Sequence, residues 1–426
     1  MTGSSGEEII AEAVLACADR CYAVPGYPVS GIAEKTGAEI VISEKVGMEY
    51  ALGDSISGRR AAVVMKNVGI NACADPLIQA VTQGLWRGVI ILAGDDIEAA
   101  GSQNAQDSRY YGELAQVPVL EPGPETCFPA VEAAFEASER FSRPAIVRLT
   151  PDLLFGTGVA DRVQRVDLDG RLADPGLTMK GKTMEAERAF VEMFRWSRES
   201  PLNRISGGDL GAGAVRAESR IVTVYPPPAT PDLLAGVKEL GRPFIREHRL
   251  VAPPAGCAAP ERMKERGYFR TLCRECPYKL LFSLLEENGM RTVADAGCSI
   301  LTMNPPYRIS IASFGLGSAI GVAAKSTGTA LIGDYAILHS GLPSLIDVYE
   351  KKTPLLCIVL VNRCMGMTGG QSSYEPYKYL EWADPVVIGA DDRERLEEFI
   401  RPADRPTTVL VSGVCPEERE HETVAY

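Results

Sequence analysis

Apolar and polar positions along this chain switch repeatedly between a helical period and continuous strand-like runs. Gly6–Asp19 carries apolar residues at helical spacing, and Cys21–Val24 is a short apolar run that ends in a Pro-Gly-Tyr-Pro turn at Pro25–Pro28. Glu39–Ser43 reads as a strand and Glu44–Ser57 as a helix with small residues on one face. Ala61–Met65, Val89–Ala93 and Pro144–Leu149 are unbroken apolar runs, the pattern of strands covered on both faces of a parallel sheet. Alternation of this kind predicts one complete doubly wound α/β domain over residues 1–150.

The pattern then breaks. Residues 151–215 are rich in Gly, Asp and polar residues, with one clear helix at Thr183–Trp196. Strand-like Arg220–Val224 and Pro243–Ile245 flank a helix near Pro231–Leu240, which reads as a reduced α/β middle segment, and Val251–Pro260 reads as a linker. From about residue 268 the alternation returns: helix at Pro277–Asn288, strand at Thr292–Ala296, helix at Gly315–Lys325, strand at Ala330–Ile332, and so on to Thr407–Val411. The expected architecture is α/β, with two doubly wound domains at 1–150 and 261–426 separated by a reduced middle piece and linker at 151–260.

Candidate chemistry concentrates in Leu331–Gln371. A β-run ends in Gly333-Asp334, a helical segment follows, and the apolar run Leu355–Val361 ends in Asn362, so 27 residues lie between Asp334 and Asn362. One strand–helix–strand unit of that length brings both side chains to the carboxyl edge of neighbouring parallel strands, where open α/β sheets bind ligands. A carboxylate and an amide oxygen there suit Mg2+, and Mg2+ suits a diphosphate; a backbone carbonyl near Cys364 could add a further ligand. The glycines of Ser313–Gly321, Gly315 and Gly317 among them, place backbone N–H groups at a helix start, where phosphate oxygens can approach. The competing reading of that segment is a Gly-rich helix packed on a sheet.

Glu44 stands at a strand-to-helix junction. It is either a carboxylate favouring the helix N-terminus or a partly buried acid that hydrogen-bonds a cofactor nitrogen, with Glu49 as its competitor further into the helix. His339, one of three histidines, lies five residues past Asp334, in the loop expected after the same strand, and is suited to proton transfer near neutral pH. Eleven cysteines is a large and odd number. Cys17, Cys73, Cys127 and Cys357 fall in apolar periodic segments and read as core. Cys273 and Cys276 form a CxxC, and with Cys298 they could ligate zinc or an iron–sulfur cluster. Cys415 is the first candidate for a fourth ligand and Cys364 the second; a metal-free structural role is the alternative.

Charge and hydropathy narrow the class. The formal charge of −12 argues against a basic nucleic-acid surface. No stretch of eighteen apolar residues and no charged-then-apolar leader is present, so neither a membrane association nor secretion is expected, and a cytoplasmic location is.

Several segments together resemble the large subunit of the indolepyruvate ferredoxin oxidoreductases, thiamine-diphosphate enzymes of the 2-oxoacid:ferredoxin oxidoreductase superfamily. They are SEKVGMEYALGDSISG, VVMKNVGINACADPLIQA, SQNAQDSRYYGELAQVPVLEP, TLCRECPYKLLF, ADAGCSILTMNPP and GDYAILHSGLPSLIDVYEKKTPLLCIVLVNRCMGMTGGQ. The resemblance implies that Glu44 activates the cofactor, that Asp334 and Asn362 bind Mg2+, and that His339, Lys66 and Asn67 face the reacting centre. Gly26, Tyr27 and Pro28 would line the substrate pocket. Cys273, Cys276 and Cys298 match ligands of a [4Fe-4S] cluster in related pyruvate oxidoreductases. The implied reaction is oxidative decarboxylation of a 2-oxo acid, an aryl pyruvate such as indolepyruvate, with one-electron transfer to an external ferredoxin and capture by coenzyme A. A small second subunit and a dimer or heterotetramer are implied as well.

There are departures. The family's large subunit carries a ferredoxin-like domain with two CxxCxxCxxxCP runs, which these residues lack, and the middle segment is short. Arg274-Glu275 replaces the usual Pro-Gly, and Tyr335 stands where a small residue is usual. The electron route is therefore the open part of the expectation. A non-oxidative thiamine-diphosphate-dependent 2-oxoacid decarboxylase is the alternative, and a non-catalytic paralogue is a third reading.

Overall fold

The structure, a computed structural model, describes residues 3–96, 99–103, 106–123, 125–159, 161–199, 222–224, 258–418 and 420–426. The helix expected near 231–240, the strand near 243–245 and most of the linker at 251–260 lie outside the described residues. Chain contacts define two units: Met1–Ala173 with Lys182–Pro260, and Asp174–Gly181 with Glu261–Tyr426.

The first unit is built on a seven-stranded sheet. Its strands are β1 (Arg20–Ala23), β2 (Glu39–Ile40), β3 (Ala61–Lys66), β4 (Val89–Gly94), β5 (Pro118–Leu120), β6 (Ala145–Leu149) and β7 (Val222–Val224). The spatial order is 2-1-3-4-6-5-7, parallel except for β7, which runs antiparallel along β5. Every residue of β4 and β6 is buried, as the unbroken apolar runs require, because helices cover both faces. The helix Gly6–Cys17 begins in a capping box between Ser5 and Glu8 and lays Ile9, Ile10, Ala13, Val14 and Cys17 into the core. A charged cluster is set into the apolar background. Arg60, fully buried, makes a two-pronged contact to Glu139 (2.7 Å for both bonds) and a third to Glu132 (2.9 Å).

The second unit repeats the plan with β8 (Thr292–Ala294), β9 (Ser310–Ala312), β10 (Thr329–Gly333), β11 (Leu355–Val361), β12 (Val386–Gly389) and β13 (Pro406–Ser412). All six pair in parallel. Counted within the unit, their spatial order is again 2-1-3-4-6-5. Each unit therefore has its own switch point, between its first and third strands, where the sheet opens a crevice at the carboxyl edge. A separate antiparallel pair, Tyr268–Cys273 with His421–Ala425, flanks the second sheet's unit and sets Cys273 opposite His421.

Three expectations need adjustment. The strand at 39–43 shrinks to Glu39–Ile40, because Ser43 caps the next helix by accepting from Val46. The helix expected from Gly315 begins at Ala319: Gly315 (φ 115°) and Gly317 (φ 81°) are in the left-handed region and form the turn that precedes it. His339 lies not in a loop but in a helical turn, Ile337–Gly341, of the wide π type that inserts an extra residue into the helix.

Candidate active site

In the first unit the carboxyl ends of β1 and β3 bring together the turn and the pair singled out from sequence. A methyl added to Gly26 would lie 3.2 Å from Lys66 Cβ, so the Gly26-Tyr27-Pro28 turn rests directly on the end of β3. Lys66 Nζ reaches Gln103 Oε1 at 3.4 Å. Asn67 is locked by two exchanges with Gln106, donating from Nδ2 to its carbonyl (2.6 Å) and accepting from its side chain at the Asn67 carbonyl (2.8 Å). The same Gln106 accepts from Asn71 at 2.9 Å. Behind these residues Asp95, fully buried, accepts from Arg148 (2.6 Å) and from the Ser108 hydroxyl (2.5 Å), which pins the chain just after Gln106. Burial pushes the Asp95 carboxyl up from its ordinary range, and the Arg148 guanidinium opposes that rise.

Glu44 opens the helix Glu44–Ile56, one residue after its Ser43 cap. Its side chain lies on Gly69, where a methyl would come within 2.6 Å of Glu44 Cγ and Oε1. Gly69 follows Asn67 by two residues, so the acid stands over the loop that leaves β3. Glu49 is fully buried and ion-paired with Lys45 within the same helix, which makes it part of the core.

In the second unit β10 and β11 are neighbours in parallel register, Gly333 opposite Leu360, so Asp334 and Asn362 emerge together at the carboxyl edge. Asp334 is 2% exposed; its two oxygens accept from the backbone N–H of Tyr335 (2.7 Å) and Arg363 (2.6 Å). Burial raises its carboxyl above the ordinary range while those N–H groups pull it back. Across the crevice at the end of β8, Asp295, also buried, accepts from Gly317 N at 2.6 Å. A methyl on Gly317 would lie 2.4 Å from Ser340 Oγ and 2.8 Å from Gly341 N, so this turn is packed tightly on the helix after Asp334. Ser340 donates to the Leu316 carbonyl at 2.6 Å. His339 is exposed, with its ring 5.8 Å from that of Tyr335.

The same edge gathers thiols. Cys17, Cys73, Cys127 and Cys357 are buried in the core as expected. Cys273, Cys276, Cys298, Cys364 and Cys415 are instead half-buried. Asn362 bonds two of them: its Oδ1 accepts from Cys364 N (3.2 Å), which leaves Nδ2 to donate to Cys415 Sγ (3.2 Å). Cys276 N donates to the Cys273 carbonyl at 3.1 Å, closing the CxxC turn, and a methyl on Gly366 would touch Cys298 Sγ at 3.5 Å. Burial first, then the neighbouring thiols, push Cys298 up to about 12 and Cys276 and Cys415 up to about 11. Among the described residues no group of three or more His, Cys, Asp or Glu side chains is placed to hold a metal ion, and no helix is long and apolar enough to cross a membrane.

Gln103, Gln106, Asp95 and Asp295 were not singled out from sequence. The first two fall in SQNAQDSR, whose polar residues follow no period, Asp95 follows the strand Val89–Gly94, and Asp295 stood out only as a neighbour of Cys298.

Comparison with known proteins gives the class first. The model for the thiamine pyrophosphate enzyme C-terminal TPP-binding domain matches residues 295–385, the stretch from Asp295 through Asp334 and Asn362. Among solved structures, a thiamine diphosphate-dependent 4-hydroxybenzoylformate decarboxylase from Rhodococcus jostii has a TM-score of 0.57 at 15% identity, covering 97% of this chain and 100% of its own. Benzoylformate decarboxylase from Polynucleobacter necessarius has a TM-score of 0.55 at 14% identity, over 98% and 99%. At such identities the likeness is one of fold, and the fold and the matched domain are those of a thiamine pyrophosphate enzyme. The particular relatives are more specific. Indolepyruvate oxidoreductase subunit IorA of Methanothermobacter thermautotrophicus is 27% identical, over 94% of this chain and 80% of that protein. IorA of Archaeoglobus fulgidus is 24% identical, over 86% and 75%. The chain is thus a relative, along most of its length, of the IorA subunits.

Proposed function

We propose that this chain is the thiamine-diphosphate-binding large subunit of a 2-oxoacid oxidoreductase, acting on an aryl pyruvate such as indolepyruvate. The observation that carries the reading is Asn362, which ends the strand paired with the one that leads to Asp334 and whose side-chain N–H donates to the Cys415 thiol. A diphosphate site and a thiol cluster then share one side chain, an arrangement that a simple decarboxylase does not need.

The residues suit the groups the reading requires. Asp334 and Asn362 would hold Mg2+ and, with the backbone at Cys364, present it to a diphosphate; the Asp334 carboxylate is held in place by the backbone N–H groups of Tyr335 and Arg363. Gly333 has open space where a methyl would stand and so leaves room for phosphate oxygens at backbone distance, whereas Gly317 is packed on Ser340 and Gly341. Glu44 would hold the pyrimidine nitrogen. Cys273, Cys276, Cys298 and Cys415 would supply the four thiolates of a [4Fe-4S] cluster. Their high pKa values mean that iron must displace protons on loading.

Thiamine diphosphate, once bound, supplies the carbanion chemistry that releases CO2 from a 2-oxo acid. The chain's own groups do the rest. Lys66, beside the Gly26–Pro28 turn, offers a cation to the substrate carboxylate, and Asn67, fixed by Gln106, offers an amide. His339, exposed in the second unit, would give or take a proton near neutral pH. Electrons would leave through the thiol cluster to an external ferredoxin. The assembly proposed is a dimer, or a heterotetramer with a small second subunit, in the cytoplasm.

The purified chain, loaded anaerobically with iron, sulfide, Mg2+ and thiamine diphosphate, is given 2-oxo acids with coenzyme A and a viologen dye. Viologen reduction in step with CO2 release supports the oxidoreductase. Aldehyde and CO2 with the dye untouched would establish the non-oxidative decarboxylase instead.

A further inference from the structure

The chain that leaves β3 turns through Asn67–Asn71, and the midpoint of that turn, Gly69, is where the Glu44 side chain rests. Gln106 bonds both ends of the turn. At one end its backbone carbonyl accepts from Asn67 Nδ2 (2.6 Å) while its own Nε2 donates to the Asn67 carbonyl (2.8 Å). At the other end its Oε1 accepts from Asn71 Nδ2 (2.9 Å). One side chain thus spends its donor on the start of the turn and its acceptor on the finish, with Gly69 between them. The turn has little else to fix it. The helix Gly69–Ala72 has no side-chain cap at its start, and four residues cannot hold a helical turn alone. Gln106 is itself anchored two residues on, where the backbone N–H and hydroxyl of Ser108 donate to Asp95, and Asp95 is paired with Arg148. Asp95 and Ser108 are fully buried, and Arg148 reaches a second acid, Glu121, at 2.8 Å. A buried network whose members are all bonded is rigid.

We propose that Gln106 is a positioning residue: by stapling both ends of the Asn67–Asn71 turn it holds Gly69 against Glu44 and so fixes where that carboxylate stands. The inference rests on the reading of Glu44 as the acid that meets the cofactor's pyrimidine nitrogen. Glu44 has three side-chain torsions of its own, and Gly69 is a surface that limits them. If the turn drifts, the carboxylate drifts with it, and a misplacement of about 1 Å can cost about 10²-fold in rate. The task requires an amide. Glutamate would bring no donor to the Asn67 carbonyl, and methionine, of similar length, would make neither side-chain bond.

The test uses the full chain as wild type, Gln106→Met, Asn71→Ala and Glu44→Gln. Hydrogen–deuterium exchange of the cofactor-free chain follows the backbone of residues 67–73 beside the strands Val89–Gly94 and Ala145–Leu149. The chain is then given Mg2+ and thiamine diphosphate, and the exchange of the thiazolium C2 proton is measured by quenched NMR next to calorimetric binding. The expected result for Gln106→Met is faster exchange over 67–73 with the strands unchanged, and C2 exchange slowed by about 10²-fold at retained cofactor affinity. Asn71→Ala, which frees only one end, should shift both readouts in the same direction by less. Unchanged protection of 67–73 in Gln106→Met overturns the inference, because the turn then holds without its staple. Faster exchange there with C2 exchange undiminished overturns it too, because Glu44 is then placed by other contacts. In both cases slow C2 exchange in Glu44→Gln leaves the reading of Glu44 standing. If Gln106→Met also loosens the strands, Asn71→Ala decides, its residue being exposed: slowed C2 exchange supports the staple, and wild-type exchange overturns it. Wild-type C2 exchange in Glu44→Gln, or a wild-type chain that binds no thiamine diphosphate, removes the reading of Glu44 and the inference with it.

Discussion

Gly69→Ala separates the position of Glu44 from the stability of the fold. The new methyl would lie 2.6 Å from Glu44 Cγ and Oε1 and 2.9 Å from Cδ, so the two cannot coexist as placed. What must give is a flexible side chain and not backbone. Pushing Glu44 about 30° off its rotamer costs about 0.5–1.5 kcal/mol. Gly69 begins the short helix Gly69–Ala72, and alanine there gains roughly 0.5–1 kcal/mol over glycine. The two effects nearly cancel, so the unfolding midpoint should move by only a few degrees, at about 2–4 °C per kcal/mol for a domain of this size. Turnover should respond very differently. Positioned acid–base groups contribute about 10²–10⁴ in rate, and a Glu44 swung away from its place forfeits that. Thermal unfolding and thiamine-dependent CO2 release are measured on the same preparation, beside Glu44→Gln. Full turnover in Gly69→Ala would refute the assignment of Glu44. A large fall in melting temperature would refute the claim that the clash is absorbed by a side chain.

Other outcomes follow from the same geometry. Gly317→Ala combines left-handed strain of about 1–2 kcal/mol with overpacking of about 1–3 kcal/mol against Ser340 and Gly341; urea unfolding should show a loss of about 2–5 kcal/mol. Glu139→Ala leaves Arg60 fully buried with its two-pronged partner gone and should destabilise the chain by about 3–5 kcal/mol, read from the same unfolding curves. In the iron-free chain the Cys298 thiol, pushed up to about 12, and Cys276 and Cys415, at about 11, are protonated at neutral pH. Alkylation of these three by iodoacetamide, mapped by mass spectrometry, should be slow at pH 7.5 and accelerate steadily to pH 10 and beyond. Asn362→Asp keeps an oxygen ligand for Mg2+ but places a carboxylate where Nδ2 now donates to Cys415; it should retain thiamine diphosphate and lose iron, which calorimetry and iron analysis check independently.

Much of the fold was legible because buried parallel strands write themselves as unbroken apolar runs. Ala61–Met65, Val89–Ala93 and Leu355–Val361 reappear as strands almost residue for residue. The spacing of Asp334 and Asn362 translated directly into adjacency, since one crossover has a nearly fixed length. Termini were harder. The helix after Gly315 starts late because two left-handed glycines belong to the turn, and no periodicity distinguishes a glycine in a turn from one in a helix. The partners that hold the site were harder still. Gln106 locks Asn67 from 39 residues away, and Asn362 meets Cys415 across 53; only the folded sheet edge brings such pairs together.

The central claim is that the Asp334–Asn362 edge holds thiamine diphosphate through Mg2+. Calorimetric titration of thiamine diphosphate into the wild-type chain and Asp334→Ala, with Mg2+ present and with it chelated, tests that claim most directly. The account predicts saturable binding by wild type that needs Mg2+, and binding at least about tenfold weaker in Asp334→Ala, given what loss of a metal-site group costs. Binding that is equally tight without Mg2+, or indifferent to Asp334, would contradict it.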